Sequence, residues 1–182
     1  MSNRAVVVID MQNEYLPTGK LPLTGIEAAV ANAAKVIADA RATAIPVIHI
    51  RHEMGDGELP IFVPGSDAAE IQTAVAPQDG EPIIVKNHPN SFLKTELKRL
   101  LDERGVQELV VVGAMSHMCV DASVRAAADL GYSVTVVHDA CATLDLEFGG
   151  VKVPAALVHA TMMAALGFAY ATLLSSDEYL AA

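Results

Sequence analysis

The sequence predicts an α/β protein, an open sandwich with a parallel sheet between two layers of helices. Two observations carry this. Short β-branched apolar runs alternate with Ala-rich helical stretches along the chain. Most of those runs are apolar on successive residues, the pattern of strands buried on both faces.

The elements follow in order. Ala5–Met11 reads as a strand and Gly25–Thr43 as a helix. Pro46–His52 is the second strand. Met54–Pro77 then breaks the rhythm with Gly55, Gly57, Pro60, Pro64, Gly65 and Pro77. Loops this long in a compact domain are often functional lids. Pro82–Asn87 is the third strand. Ser91–Arg104 is the second helix: Phe92, Leu93, Leu97, Leu100 and Leu101 recur at three- and four-residue steps. Gly105 stops it, as Gly131 stops a third helix over Met118–Leu130. Between them Glu108–Ala114 is the fourth strand. Tyr132–His138 is the fifth strand, Leu144–Pro154 a second irregular stretch around Gly149-Gly150, Pro154–Leu166 the fourth helix and Phe168–Leu174 the sixth strand. The alternation resumes after each irregular stretch, so one domain spans residues 1–182.

Composition narrows the function classes. Hydrophobic residues make up 52% of the 182 and charged residues 19%, enough apolar content for a folded core. Twelve basic against 22 acidic residues give a net charge of −10, which disfavours nucleic acid and anionic membrane partners. The apolar runs are too short to span a bilayer. Met1–Arg4 leads straight into a strand without the features of a signal peptide, so a cytoplasmic location is expected. Cys119 and Cys141 lack Cys-x-x-Cys spacing, and a disulfide scaffold is not expected. The first turn, Asp10–Tyr15, has neither Gly-x-Gly-x-x-Gly nor Gly-Lys-Ser/Thr, so the phosphate cradle of nucleotide-binding folds is missing.

In an open parallel sheet, ligands bind beyond the carboxyl ends of the strands. Asp10, Lys86 and Cys119 all fall on that edge. Asp10 follows four apolar residues, and a carboxylate there costs free energy unless it has a partner. Lys86 is a cation at the end of another apolar run. Cys119 lies where the fourth strand has turned into a helix, a place where a thiol pKa can fall. The alternatives are a turn acid or a salt-bridged one, a surface lysine and a small core cysteine.

With these pieces in view, the chain resembles the isochorismatase-like cysteine hydrolase superfamily over nearly its whole length. The resemblance rests on Asp10-Met11-Gln12, on Lys86 with Ser91-Phe92, and above all on Val112-Gly113-Ala114-Met115-Ser116-His117-Met118-Cys119-Val120. Ala126 to Gly131-Tyr132 and Asp139-Ala140-Cys141-Ala142-Thr143 extend it. It implies a Rossmann-like six-stranded parallel sheet in the order 3-2-1-4-5-6 and a catalytic triad of Asp10, Lys86 and Cys119. In that order Lys86 stands two strand spacings from Asp10, roughly 10 Å, a gap that a lysine can bridge. A cis peptide at Ala114–Met115 is also implied, aiming the Met115 N–H, with the Cys119 N–H, at an oxyanion.

The implied activity is hydrolysis of a C–N bond in a small amide, ureido or lactam compound through a thioester. Family members that cleave a vinyl ether lack the cysteine at this position. A non-catalytic binding or scaffold protein of the same fold is the alternative from another class, and a nicotinamidase-type enzyme the alternative within this one. Metal-containing nicotinamidases carry Asp-x-His after the second strand. Here the stretch is Ile50-Arg51-His52, and His52 with His88 make a poor site without a carboxylate. No metal and no cofactor are expected. Gln12, Tyr15, His52, Phe62 and His117 are candidate substrate contacts, with Glu14 either lining the pocket or facing solvent. His138 and His159 are expected to be packed or surface residues, and Cys141 structural. The family commonly forms dimers or tetramers, so a homodimer or homotetramer is expected.

Overall fold

A computed structural model describes residues 3–55 and 59–182; residues 1, 2 and 56–58 lie outside it, the last three within the irregular stretch. Six parallel strands form the sheet: β1 (Arg4–Ile9), β2 (Val47–His52), β3 (Ile83–Lys86), β4 (Glu108–Ala114), β5 (Ser133–Ala142) and β8 (Thr172–Leu174). β6 (Leu146–Phe148) and β7 (Val151–Val153) form a separate antiparallel hairpin. The sheet order is β3-β2-β1-β4-β5-β8. This is the expected 3-2-1-4-5-6 order, the hairpin having moved the last strand's number to eight.

Alternate residues of the strands serve two cores, as the pleat requires. Val6, Val8, Val110 and Val112 pack against Ala29, Ala33, Val36 and Ile37 of α1 (Ile26–Ala42) and Tyr179 of α5 (Ser176–Leu180). Ala5, Val7, Ile9 and Val111 pack on the other face. There they meet Leu97 and Leu101 of α2 (Leu97–Glu103), Val124 and Ala127 of α3 (Asp121–Asp129), and Met163 and Leu166 of α4 (Ala155–Ala169). No helix among the described residues is long and apolar enough to cross a membrane.

Four expectations are corrected. The second helix is only seven residues long. Ahead of it, the Ser91 N–H donates to Ser123 Oγ, the Phe92 N–H to Asn90 Oδ1 and Thr95 Oγ1 to the Ser91 carbonyl, so side chains replace helix bonds there. The run Phe168–Leu174 divides: α4 continues to Ala169, and only Thr172–Leu174 is strand. The third strand, at the edge as its place in the order requires, is not buried on both faces: Ile83 and Val85 are exposed and only Lys86 is buried. The stretch Leu144–Pro154 is not irregular, because Gly149 and Gly150, both at positive φ, turn the β6–β7 hairpin.

Register sets the working edge. Ile9 is paired with Ile50 on one side and Gly113 on the other, and His52 is paired with Lys86. Gly113 has a φ of 141°, and a Cβ there would stand 2.1 Å from the Ile9 carbonyl oxygen. Only glycine allows β4 to pass this close to β1, one residue before Asp10. The next peptide, Ala114–Met115, is cis. Ser116–Val120 then form a wide π-type turn leading directly into α3.

Candidate active site

Asp10 leaves β1 at a φ of 49°, a left-handed conformation unusual outside glycine. Its carboxylate is fully buried and meets the Lys86 ammonium, Oδ2 to Nζ, at 2.7 Å. Lys86 crosses β2 from the edge strand to reach it, with no exposed side-chain surface. The same ammonium donates to Cys119 Sγ at 3.3 Å and lies 2.9 Å from His52 Nδ1. A carboxylate oxygen of Asp10, a ring nitrogen of His52 and the Cys119 sulfur lie within 4.8 Å of one another. Asp10, Lys86 and Cys119, read from the sequence as three separate signals, form one cluster.

Charge and burial compete in this cluster. Burial raises the Asp10 carboxyl above its ordinary 3.8, against the pull of Lys86. Burial opposes the Lys86 charge too, but Asp10 and Cys119 outweigh it and the ammonium is held more firmly than usual. Burial and then Asp10 push the Cys119 thiol well up, and Lys86 only partly offsets them. This corrects the expectation of a thiol acidified by a helix N-terminus. Cys119 sits inside the π-type turn, ahead of α3, and desolvation dominates. The resting sulfur is therefore a thiol that needs a base.

The other candidates divide. Tyr15 and Phe62 are buried, their rings edge to face at 5.1 Å, and Phe62 also meets the His52 ring at 5.3 Å. Phe62 is held at a φ of 50°. Its N–H donates to Glu14 Oε2 at 2.9 Å, its carbonyl accepts from Met54, and Lys20 Nζ donates to the nearby Pro60 carbonyl. Glu14 thus faces inward and anchors this part of the loop. Gln12 is not free to take substrate through its amide hydrogens. Its Nε2 donates to the His52 and Ala69 carbonyls, and its Oε1 accepts from the His52 N–H. His117 turns to Thr143, Nδ1 to Oγ1 at 2.6 Å, and Met115 is half-buried at the head of the turn.

One contact was not foreseen. Ser116 Oγ, fully buried, lies 2.8 Å from His159 Nδ1 and donates to the Ala142 carbonyl at 3.2 Å. It ties the cysteine turn to α4 and β5. Forty-three residues separate Ser116 from His159, so sequence spacing carries no sign of it. His88 is not in the cluster, and His52 joins Asp10 and Cys119 instead. Those three donors suit a metal ion by type, but Lys86 Nζ already contacts each, by an ion pair to Asp10 and hydrogen bonds to His52 and Cys119, and a metal would have to displace it.

The isochorismatase domain profile matches residues 4–172, nearly the whole described chain. The chain belongs to the isochorismatase family. Isochorismatase family protein YddQ of Bacillus subtilis is 47% identical over 97% of this chain and 98% of its own. A streptothricin hydrolase of Streptomyces noursei is 33% identical over 90% of this chain and 59% of its own length. The crystal structure of an isochorismatase from Pseudomonas putida KT2440 superposes with a TM-score of 0.91 at 39% identity, covering 96% of this chain and 89% of that one. As an isochorismatase-family hydrolase, the protein has the α/β sandwich that its relatives share, and its buried carboxylate, ammonium and thiol stand at the carboxyl edge of that sheet.

Proposed function

We propose that the protein hydrolyses a C–N bond in a small amide, ureido or lactam compound through a thioester on Cys119. One observation carries the reading: a thiol, a carboxylate and an ammonium lie within reach of one another in a buried cluster. The likeness to a streptothricin hydrolase supports the bond type.

In this reading Asp10 takes the thiol proton and the Cys119 sulfur attacks the carbonyl carbon. The Met115 and Cys119 N–H groups hold the tetrahedral oxyanion in this reading. The C–N bond breaks and the amine leaves with the proton from Asp10. Water then attacks the thioester while Asp10 takes its proton. The C–S bond breaks, the acid departs and the thiol regains a proton. Lys86 keeps the carboxylate in place and opposes the cost of negative charge on sulfur. The Tyr15 and Phe62 rings pack beside His52 and the cluster, with the Tyr15 phenol facing the charges of Cys119 and Asp10, which suits a small polar substrate. The chain works as a homodimer or homotetramer in this reading, supported by Phe148, Val151 and Leu157, which are exposed on the hairpin and α4.

Release of ammonia or amine from a panel of small amides, carbamoyl compounds and lactams tests the proposal. Wild type should release amine from at least one class, and Cys119→Ala should lose about 10³-fold or more of that rate with its fold intact. Equal rates for the two would refute the nucleophile. Silence across the panel would favour a binding protein on this fold.

A further inference from the structure

We infer that His52 is a positioning residue of this site: its neutral ring accepts an ammonium hydrogen of Lys86 and fixes where that cation stands between Asp10 and Cys119. An ammonium has three donors and no acceptor. Lys86 Nζ forms an ion pair with Asp10 Oδ2 at 2.7 Å and is hydrogen-bonded to His52 Nδ1 at 2.9 Å and Cys119 Sγ at 3.3 Å. The Lys86 side chain is shut off from solvent, so water cannot replace a missing partner. The sulfur is the longest of the three contacts, and the ion pair with Asp10 and the bond to His52 fix where the ammonium stands beside it.

The proton count is forced. Nδ1 can accept from an ammonium only through its lone pair, so the ring proton sits on Nε2. Burial, and then the charge of Lys86, push the His52 pKa down to about 4, which agrees with a neutral ring. The ring is also held from outside. His52 and Lys86 are register partners on neighbouring strands. Gln12 brackets the His52 backbone with bonds of 2.8 Å to its N–H and to its carbonyl. Phe62 packs edge to face on the ring, and Glu14 holds the Phe62 N–H. Gln12, Phe62 and Glu14 thus hold one imidazole in place, and that imidazole contacts Lys86.

The inference uses the proposed nucleophile, so its test avoids substrate. The rate of Cys119 alkylation by iodoacetamide, mapped by peptide mass spectrometry at pH 7.5, is compared for wild type, His52→Leu, His52→Gln, Lys86→Met and the His52→Leu/Lys86→Met double variant. Thermal melting reports on the fold. His52→Leu should slow alkylation about tenfold, and His52→Gln, which keeps an acceptor, should return it to within about threefold of wild type. The double variant should be no slower than Lys86→Met alone, because His52 acts through the lysine. Wild-type alkylation in His52→Leu, no recovery in His52→Gln, or additive losses in the double variant would each overturn the inference. Should His52→Leu not fold, His52→Ala against His52→Gln makes the same comparison. Lack of turnover on every amide alongside the expected alkylation pattern would refute the C–N reading and leave the role of His52 standing.

Discussion

Asp10 carries the heaviest demand of any side chain here. It is a fully buried carboxylate whose ion pair is Lys86, and the neighbouring thiol keeps its proton until something removes it. Asp10→Asn keeps the shape and removes the proposed base, so kcat should fall by about 10²–10⁴-fold with KM little changed. A rise in KM alone would make Asp10 a binding residue. Because burial raises the Asp10 carboxyl above 3.8, the acid limb of the rate profile should lie above the ordinary carboxylate range. The basic form, and the rate with it, is lost as pH falls through that raised value. At this scale the sequence is informative about cost. Asp10 and Lys86 each end an apolar run, and charge in such a place needs a partner. The role of His52 is not legible that way. Its bond to Lys86 spans 34 residues and depends on the register of two parallel strands, which no local pattern encodes.

Among the elements, the edge strand β3 bears the lysine and is itself fastened by a second charged group. Glu81, just before β3, accepts from Arg41 of α1 through both carboxylate oxygens, at 2.8 Å each, and pairs with the buried His49 of β2 at 3.0 Å. Burial would raise the Glu81 carboxyl. The bonds from Arg41, the Gln78 N–H and His49 outweigh it and hold the pKa at about 2, against an ordinary 4.5. A depressed acid stabilises the fold above its unfolded pKa and loses that contribution as pH falls through the folded one. Glu81→Gln should therefore lower the urea midpoint at pH 6, and its deficit against wild type should shrink by pH 2.5. An unchanged deficit would show that the carboxylate charge is not what fastens β3. Central strands were legible in place but not always in length: Glu108–Ala114 matches β4 at both ends, whereas Tyr132–His138 stops short of the Ala142 end of β5. Elements failed where local signals were ambiguous. An apolar run such as Phe168–Leu174 suits helix and strand alike, and side chains at Ser91, Asn90 and Thr95 captured backbone groups that periodicity assigned to a helix.

For the whole molecule, parallel topology explains how residues at positions 10, 86 and 119 meet. Each follows or ends a strand, all strands point the same way, and the order 3-2-1-4-5 brings the first four carboxyl ends side by side. The sandwich was legible because it needs only alternation and double-sided burial. The strand order and the cis bond came from resemblance, since sequence periodicity contains neither. The proposed mechanism requires a covalent acyl group on Cys119, which intact-protein mass spectrometry of acid-quenched reactions would detect. With a compound that the enzyme turns over, wild type should gain one acyl mass, mapped to Cys119 and removed by hydroxylamine, and Cys119→Ala should gain none. Turnover with no adduct, undiminished in Cys119→Ala, would rule out the thioester.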